Sequence, residues 1–410
     1  MENDKDCRLS KSCNQKIEDD GSLPSSTYII FFILIIDLLG FTVILPLLPA
    51  IFEYYDSNEK DHLYHWMDEK VHYFQNYFGS PAEFNKVLFA GLLGSVFSTL
   101  QFLAAPIFGS ISDVYGRKPV IIISMVGIAV SHAIWCFADY FYLFVIARIV
   151  GGLSRANISL STAIVTDLCS EKKRGKGMAL IGIAFAIGFI VGPMIGAVFA
   201  SRAVRSENFY FLPAIFALVM AATDIVILIF CFKESLPKDK RASSIGQGLA
   251  EAYQFINPPS LFSFSPVIDI QPEVIQGGYV RRIPAGKEIG SAAVGAFLII
   301  PAFVLIGMSK SIEVLYLGLA LYAFASATVV PCLTTIASKF GSSRQKGTVL
   351  GIFRSLGSLA RAFGPVVSAI AYWSLTPTVS YCIGGILLIV PLILILSLRK
   401  ELSRQTVKED

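Results

Sequence analysis

The sequence predicts an all-α protein that crosses a membrane many times. Hydrophobic residues make up 54% of the 410-residue chain and charged residues only 16%, whereas about a quarter of the residues of a soluble domain are charged. The mean hydropathy is +0.64. Apolar runs long enough to cross ~30 Å of hydrocarbon must be helical, because lipid offers the backbone no hydrogen-bond partner. Ten such runs are visible, at roughly 27–51, 86–108, 119–138, 141–167, 177–200, 208–232, 290–308, 312–335, 347–371 and 378–397.

The distribution of Lys and Arg between loops predicts the orientation in the membrane. The loop 52–85 is rich in Asp and Glu, whereas 168–176, 233–289 and 336–346 are rich in Lys and Arg. Basic loops stay in the cytoplasm, so we expect both termini there. The polar start has no signal-peptide-like apolar region, and the first span is therefore expected to target the chain. The sequence leaves the organelle open among the plasma membrane, a vesicle membrane and the inner nuclear membrane.

An internal repeat divides the spans into two halves. Arg174-Gly-Lys-Gly177 recurs as Arg344-Gln-Lys-Gly347, and a helix containing Gly-Pro follows in each case. Paired halves with matched helix breakers are typical of secondary transporters. The predicted organisation is a cytoplasmic tail (1–26), a six-helix bundle (27–235), a cytoplasmic linker (236–289), a four-helix bundle (290–397) and a second tail (398–410).

The second half is shorter than the first by about two spans. Between the sixth span and the repeat partner of the fifth, only two of the four expected spans are present. The polar segment 242–287 stands in their place, and 276–283 reads as a degenerate copy of the turn described next. We therefore expect the seventh and eighth spans of a twelve-span parent to be absent. Losing two spans preserves the orientation of those that follow.

The turn between the second and third spans is the most informative local pattern. It reads Gly109-Ser-Ile-Ser-Asp113-Val-Tyr-Gly116-Arg117-Lys118. Glycine permits a tight turn, and the charged residues hold it at the cytoplasmic surface. In this place the pattern resembles the signature of the major facilitator superfamily.

Three further patterns are similar to those of the drug–proton antiporters of that superfamily. They are Asp37 to Pro49 in the first span, Arg148 to Gly152 in the fourth and Gly188 to Gly196 in the fifth. Four shorter stretches resemble the tetracycline-transporter-like branch, namely Asn85–Phe89, Leu160–Val165, Val330–Leu333 and Gly351–Gly357. The resemblance implies the major facilitator fold, with cavity walls from the first, fourth, seventh and tenth spans. It also implies proton-coupled export or exchange of amphiphilic organic anions or drugs such as tetracycline, by alternating access.

Five ionisable residues inside spans are candidates for the substrate or proton pathway, because such groups are costly in lipid unless they face a cavity or a partner. Asp37 is either a midplane proton or substrate site or a structural contact between helices. Arg148 either lines the cavity, as the resemblance implies, or lies at the interface with its head in water. Arg354 and Arg361 share a helix face and either line an anion path or pair with acidic groups. Asp224 is a further candidate.

The resemblance also implies two structural elements of the transport cycle. Gly109, Asp113, Gly116, Arg117 and Lys118 would form a conformational latch, in which Asp113 pairs with a basic group or a helix N-terminus. The alternative is that the basic pair only orients the protein.

The second element is a helix-packing motif of the antiporters. Gly188, Gly192, Pro193 and Gly196 give a small, kinked face that in this family packs across the halves onto the eighth span. Since that span is expected to be missing, the face would lack a partner, and self-association could compensate.

The sequence predicts neither an enzyme nor a cofactor or metal site. Seven cysteines lack metal-ligand spacing, four histidines accompany no nucleophile, and no basic face for nucleic acid is present. The expected partners are a small organic anion or drug, protons and the lipid bilayer. The competing interpretation is a non-transporting variant, shortened by splicing or by an incomplete gene, that acts by binding other proteins or a full-length sibling.

Overall fold

The protein is all-helical in the part that the structure, a computed structural model, describes: residues 23–58, 60–79, 85–203, 210–243, 288–339 and 345–397. Short 3-10 turns cover Leu45–Leu47 and Lys238–Lys240. The helices are α1 (Ser25–Thr42), α2 (Leu48–Asp56), α3 (His62–Phe78), α4 (Asn85–Tyr115), α5 (Arg117–Cys136), α6 (Phe141–Ser154), α7 (Asn157–Leu168), α8 (Glu171–Ala203), α9 (Phe211–Phe230), α10 (Glu288–Gly307), α11 (Ile312–Lys339), α12 (Lys346–Ser374) and α13 (Pro377–Leu387).

The predicted spans are confirmed with one qualification. Nine helical stretches among the described residues are long and apolar enough to cross a membrane, and each overlaps a predicted span. The remaining predicted span, 347–371, lies within α12, whose 29 residues give a length of about 43 Å. Its arginines make α12 less apolar than the other nine. The chain is therefore a multi-pass membrane protein, in which the described residues give six such stretches before the segment 236–289 and three after it, with α12 as a further long helix of lower apolarity.

Two of the predicted spans are interrupted. Pro46 and Pro49 divide the first span into α1, a 3-10 turn and α2, since proline removes a backbone donor. The fourth span, predicted as one helix over 141–167, is broken at Arg155 and Ala156 into α6 and α7. This second break shapes the site described below.

The acidic segment 52–85, predicted as a loop, contains helix α3. Its inward face carries Tyr64, which packs on Tyr55, Phe89 and Phe141. The Asp61 carboxylate, just before α3, accepts a 2.5 Å hydrogen bond from the Phe141 backbone N–H and so caps α6. An amphipathic helix with many charges resembles a loop in composition, which is why the sequence pattern missed it.

The two halves differ in the size of their cores. The first half buries two large clusters, one around Ile33 and Leu160 and one around Phe52 and Phe144. In the described part of the second half the corresponding cluster is built on Ala292 and Cys332 alone. Helix α12 packs mainly along α4 of the first half. Of the predicted linker, residues 236–243 and 288–289 are described, and the degenerate turn at 276–283 lies outside the described residues.

Candidate functional site

A cavity of about 350 Å³ lies between the first half and α12. Its walls come from α1, the following 3-10 turn, α2, α4, α6, α7, α8 and α12, and no described side chain of α10, α11 or α13 lines it. Counted with two spans absent, as predicted above, α11 is the tenth span of the family, and among the described residues α12 lines the cavity and α11 does not. The lining includes five phenylalanines and four arginines: Phe41, Phe97, Phe144, Phe185, Phe189, Arg148, Arg155, Arg354 and Arg361.

Asp37 forms an ion pair with Arg155 at the edge of this cavity. The Arg155 Nη2 and Nη1 atoms lie 2.9 Å and 3.3 Å from the two Asp37 carboxylate oxygens. The Asn157 amide donates a further 2.6 Å bond to Asp37. Both charged side chains are only 4% exposed, and the guanidinium also lies 3.9 Å from the centre of the Phe41 ring.

The pairing of Asp37 with Arg155 depends on the break between α6 and α7. Arg155 has non-helical dihedral angles (φ −82°, ψ 64°), and the chain leaves α6 there. Arg155 was missed in the sequence, although a signal existed: it lies seven residues after Arg148 in one apolar run. A cation buried at that depth requires an acid or a water-filled space.

Asp224 on α9 lies beside the ion pair without joining it. Its side chain is fully buried, and neither carboxylate oxygen has a hydrogen-bond partner among the described residues. It is close enough to Asp37 and Arg155 to interact with both electrostatically. One guanidinium is thus flanked by two carboxyl groups and is hydrogen-bonded to one of them.

Arg148 reaches the cavity from α6. Its guanidinium lies between the rings of Trp135 and Phe144, at 5.7 Å and 5.4 Å from their centres. Its Nε atom is buried without a hydrogen-bond partner, and no carboxylate within the described ranges forms an ion pair with it. Its side chain lines the cavity.

Arg354 and Arg361 bring positive charge from α12. Arg354 lies 5.8 Å from the centre of the Phe185 ring and 3.5 Å from the Thr162 hydroxyl. Arg361 donates to Gln101 at 3.2 Å. In the described part of the chain neither arginine forms an ion pair with a carboxylate, so the alternative that they pair with acidic groups finds no support here.

The residues of the predicted latch join the two halves at one end of the bundle, here called the basic end. Asp113 accepts bonds from the backbone N–H groups of Gly347 (2.9 Å) and Thr348 (2.7 Å) and from the Thr348 hydroxyl (2.7 Å). It therefore caps the N-terminus of α12, where a negative charge is favourable. Arg117, also buried, pairs with Asp113 at 2.7 Å and with Asp167 at 2.8 Å. Both kinds of partner expected for Asp113 are present together.

Glycine allows the close approach at this end. Gly109 lies against the Gly347 backbone so closely that a side chain on either would collide with the other helix. Gly116 has a positive φ of 103°, which few other residues adopt.

A carboxylate outside the sequence pattern completes the turn. Glu234 accepts from the backbone N–H groups of Arg117 and Lys118 at 2.9 Å and 3.1 Å. The Lys118 ammonium in turn donates to the carbonyls of Ile229 and Phe232 at the end of α9.

The expectation that the glycine face of the fifth span lacks a partner is wrong. Gly188, Gly192 and Gly196 on α8 lie against α1, where side chains added to them would meet Leu38, Thr42 and Val43, respectively. The Thr42 hydroxyl donates to the Gly188 carbonyl at 2.9 Å. Pro193 lies inside α8. Small residues let α1 and α8 approach closely within one half, so this face gives no reason for self-association.

The two helical halves enclose a charged cavity and are in contact at one end. This arrangement is typical of secondary transporters and not of enzymes. Comparison with known proteins agrees. The model of the Major Facilitator Superfamily matches residues 30–272 and 273–410, and the chain belongs to this family.

Three similar proteins narrow the comparison. Major facilitator superfamily domain-containing protein 10 of Mus musculus is 38% identical over 442 residues, covering 93% of this chain and 94% of the mouse protein. The crystal structure of the human organic anion transporter MFSD10 (TETRAN) superposes with a TM-score of 0.81 at 37% identity, covering 91% of this chain and 100% of that one. The class H tetracycline resistance protein of Pasteurella multocida is 25% identical over 214 residues, 52% of this chain and 46% of that protein.

The alignment with the mouse protein also bears on the length of the second half. Since 93% of 410 residues is about 381, roughly 60 of the 442 aligned positions have no residue in this chain. Two spans of ~20 residues with their turns account for such a number. The absence of the seventh and eighth spans in particular stays a prediction.

Proposed function

We propose that this chain transports amphiphilic organic anions across a membrane by alternating access, coupled to protons. The observation that carries the proposal is Arg148, whose guanidinium lines the cavity without a carboxylate partner among the described residues. A buried cation left unpaired by the protein is costly. An anionic ligand in the cavity would supply the missing charge.

The rest of the lining supports an anion with an apolar body. Arg354 and Arg361 add two more guanidinium groups without carboxylate partners among the described residues, while the charge of Arg155 is balanced by Asp37. Guanidinium groups bind carboxylates and phosphates through paired donors and also stack on aromatic rings. Phenylalanine side chains from α1, α4, α6 and α8 would cover the apolar part of such a ligand.

The latch supports alternating access. Asp113 and the glycine contacts join α4 and α12 at the basic end, while the cavity is lined by residues farther along both helices, such as Gly94 and Arg361. This arrangement corresponds to a state closed at the basic end. We place that end in the cytoplasm on the strength of the loop charges. Breaking the bonds of Asp113 would permit the opposite state.

Asp37, Arg155 and Asp224 are the proposed proton site. A fully buried carboxylate without a donor costs free energy unless a proton neutralises it. Asp224 meets that description, because neither of its oxygens has a hydrogen-bond partner among the described residues. Asp37, with which it interacts electrostatically, is the other carboxyl group that could hold the proton. We propose that a proton resides on Asp224 while Arg155 is bonded to Asp37, and that it leaves when Arg155 changes partner.

The relatives support the same substrate class. The human relative is named as an organic anion transporter, and a more distant one as a tetracycline resistance protein. Tetracycline and fluorescein, both aromatic and anionic near neutral pH, are therefore the probes of choice.

The test is uptake of fluorescein into proteoliposomes under an imposed pH gradient. We expect gradient-dependent uptake by the wild-type chain and at least a tenfold loss with Arg148→Met, from the loss of a buried charged contact. Lys310→Met, which removes an exposed charge outside the cavity, is the matched control and should resemble wild type. Equal uptake by both variants would contradict the proposal.

A second candidate follows from the roughly 60 positions present in the mouse relative and missing here. In this view the chain does not transport alone but binds other proteins or a longer sibling. It predicts no uptake by the 410-residue chain and uptake once the relative's two spans are inserted after residue 243. Uptake by the unmodified chain would rule it out.

A further inference from the structure

Gln101 joins the two halves in the middle of the bundle. It lies on α4, lines the cavity and is largely buried. Its amide nitrogen donates to the backbone carbonyl of Arg155 at 3.2 Å, and its amide oxygen accepts from Arg361 Nη2 at 3.2 Å. One side chain thus touches the helix break of the first half and a cavity arginine of the second.

The chemistry of these partners fixes the orientation of the amide. A carbonyl can only accept a hydrogen bond and a guanidinium can only donate, so the Gln101 nitrogen must face Arg155 and its oxygen must face Arg361. Glutamate would keep the acceptor but lose the donor. Methionine, of similar length, would lose both.

The Arg155 carbonyl depends on this bond. Arg155 lies outside both α6 and α7, so its carbonyl is not part of a helical ladder. Among the described residues the bond from Gln101 is the one that this carbonyl accepts. A buried carbonyl left without a donor is destabilised. Gln101 therefore helps to fix the backbone that presents the Arg155 guanidinium to Asp37.

Arg361 is held in a similar way. Its Nη2 atom donates to Gln101 and, at 2.8 Å, to the Ser358 hydroxyl. Arg361 is on α12 and Gln101 on α4, so this bond joins the same two helices as the latch. It lies ten residues or more from the latch contacts along each helix.

We propose that Gln101 is a positioning residue that couples the Asp37–Arg155 pair to Arg361. A change in the partner of Arg155 moves its backbone carbonyl, and the amide passes that movement to the arginine of the opposite half. A change at the Asp37–Arg155 pair is therefore transmitted to Arg361 in the opposite half. This inference rests on the proposed transport function and adds the connection between its two sets of arginines.

The test is a double-mutant cycle in the fluorescein assay, with binding measured separately by fluorescence quenching in detergent. We expect Gln101→Met to lower the turnover number at least about tenfold while the KM changes less, because the lost bonds orient residues and do not themselves hold the anion. The double variant with Arg361→Met should be no slower than Arg361→Met alone. Thr99→Val, which changes α4 outside the cavity, is the control for helix stability.

Gln101→Glu tests whether residue 101 must bind both the Arg155 carbonyl and Arg361 or only Arg361. It offers Arg361 an ion pair but withdraws the donor from the Arg155 carbonyl. A bridging residue predicts slow turnover in this variant as well, whereas turnover equal to wild type would overturn the proposal.

Two other outcomes are decisive. Losses that multiply in the double variant would overturn the coupling while leaving the transport function intact. A wild-type chain that neither binds nor carries fluorescein would overturn the proposed function and this inference with it.

Discussion

Replacing Asp113 by Asn tests whether the contact at the basic end holds one state of the transport cycle. The carboxylate accepts three hydrogen bonds from Gly347 and Thr348 and pairs with Arg117. An amide of the same size can accept through one oxygen only, and its NH2 group would face a donor. The substitution therefore removes charge and at least one bond without creating a cavity.

The magnitude follows from the contacts. Loss of one hydrogen bond to a charged group costs about 1.5–3 kcal/mol, and loss of the charge at the α12 N-terminus costs a further ~0.3–2 kcal/mol. We expect the closed state to lose roughly 2–5 kcal/mol relative to the open one. At about 1.4 kcal/mol per factor of ten, the open population rises roughly 30- to 4,000-fold until it saturates.

A cysteine placed at Ser110 reports this population. Ser110 is 1% exposed and lies 3.3 Å from the Thr348 hydroxyl, so a thiol there should react with a water-soluble maleimide only when α4 and α12 separate. The cysteines Cys7, Cys13, Cys231 and Cys382 must first be replaced by Ser, since Cys231 is exposed and Cys382 is partly exposed. We expect Asp113→Asn to accelerate labelling by at least tenfold.

Asp239→Asn is the matched control, because Asp239 is an exposed carboxylate at the same end. It should leave the labelling rate unchanged. If Asp113→Asn and Asp239→Asn label at the same rate, the contact does not hold the closed state and the latch interpretation fails.

Three further predictions use the same preparation. Asp224→Asn should abolish the dependence of fluorescein uptake on the pH gradient while exchange of internal for external fluorescein continues, because the amide cannot release a proton; loss of both activities would instead indicate a structural role. Gly192→Val should destabilise the protein by roughly 1–3 kcal/mol through overpacking against Thr42, which would lower the thermal unfolding temperature in detergent. Gly182→Val on the same helix is the control, because a Cβ added there meets no neighbour within 4 Å. Equal shifts in the two variants would show that the contact with α1 is unimportant. Arg155→Met should lower the thermal unfolding temperature more than Arg155→Met combined with Asp37→Asn, since the single change leaves a buried carboxylate unpaired; additive effects would argue against the ion pair.

The spans and the latch turn could be predicted from the sequence because both depend on local patterns. Apolar length alone determines whether a segment can be a spanning helix. The turn at 109–118 needs glycine and charged residues in a fixed order. A helix N-terminus is one of the two kinds of partner that the pattern predicts for Asp113. Arg354 and Arg361 were placed on one face by helical spacing, and the structure brings both to the cavity.

The missed features depend on contacts between distant segments. The break at Arg155 interrupts an apolar run without proline, so nothing local reveals it. Gln101 resembles any polar residue within a span until its two partners are known. The glycine face of α8 fits several helices equally well, and only the packed structure shows that α1 occupies it.

Helix α12 has a consequence for how the chain is made. Of the predicted spans, α12 alone is not among the stretches apolar enough to cross a membrane by themselves in the described part of the chain. Each arginine near the middle of a helix costs roughly 2.5–3.5 kcal/mol when the helix passes from the translocon into lipid. Helix α12 leaves the ribosome after α4, the helix it packs along, and Gln101 and Asp113 of α4 bind its polar groups. Insertion of α12 therefore depends on a first bundle that is already assembled. A ribosome-bound chain with a disordered first bundle would leave α12 in the aqueous phase, and α13 would then enter the membrane in the opposite direction.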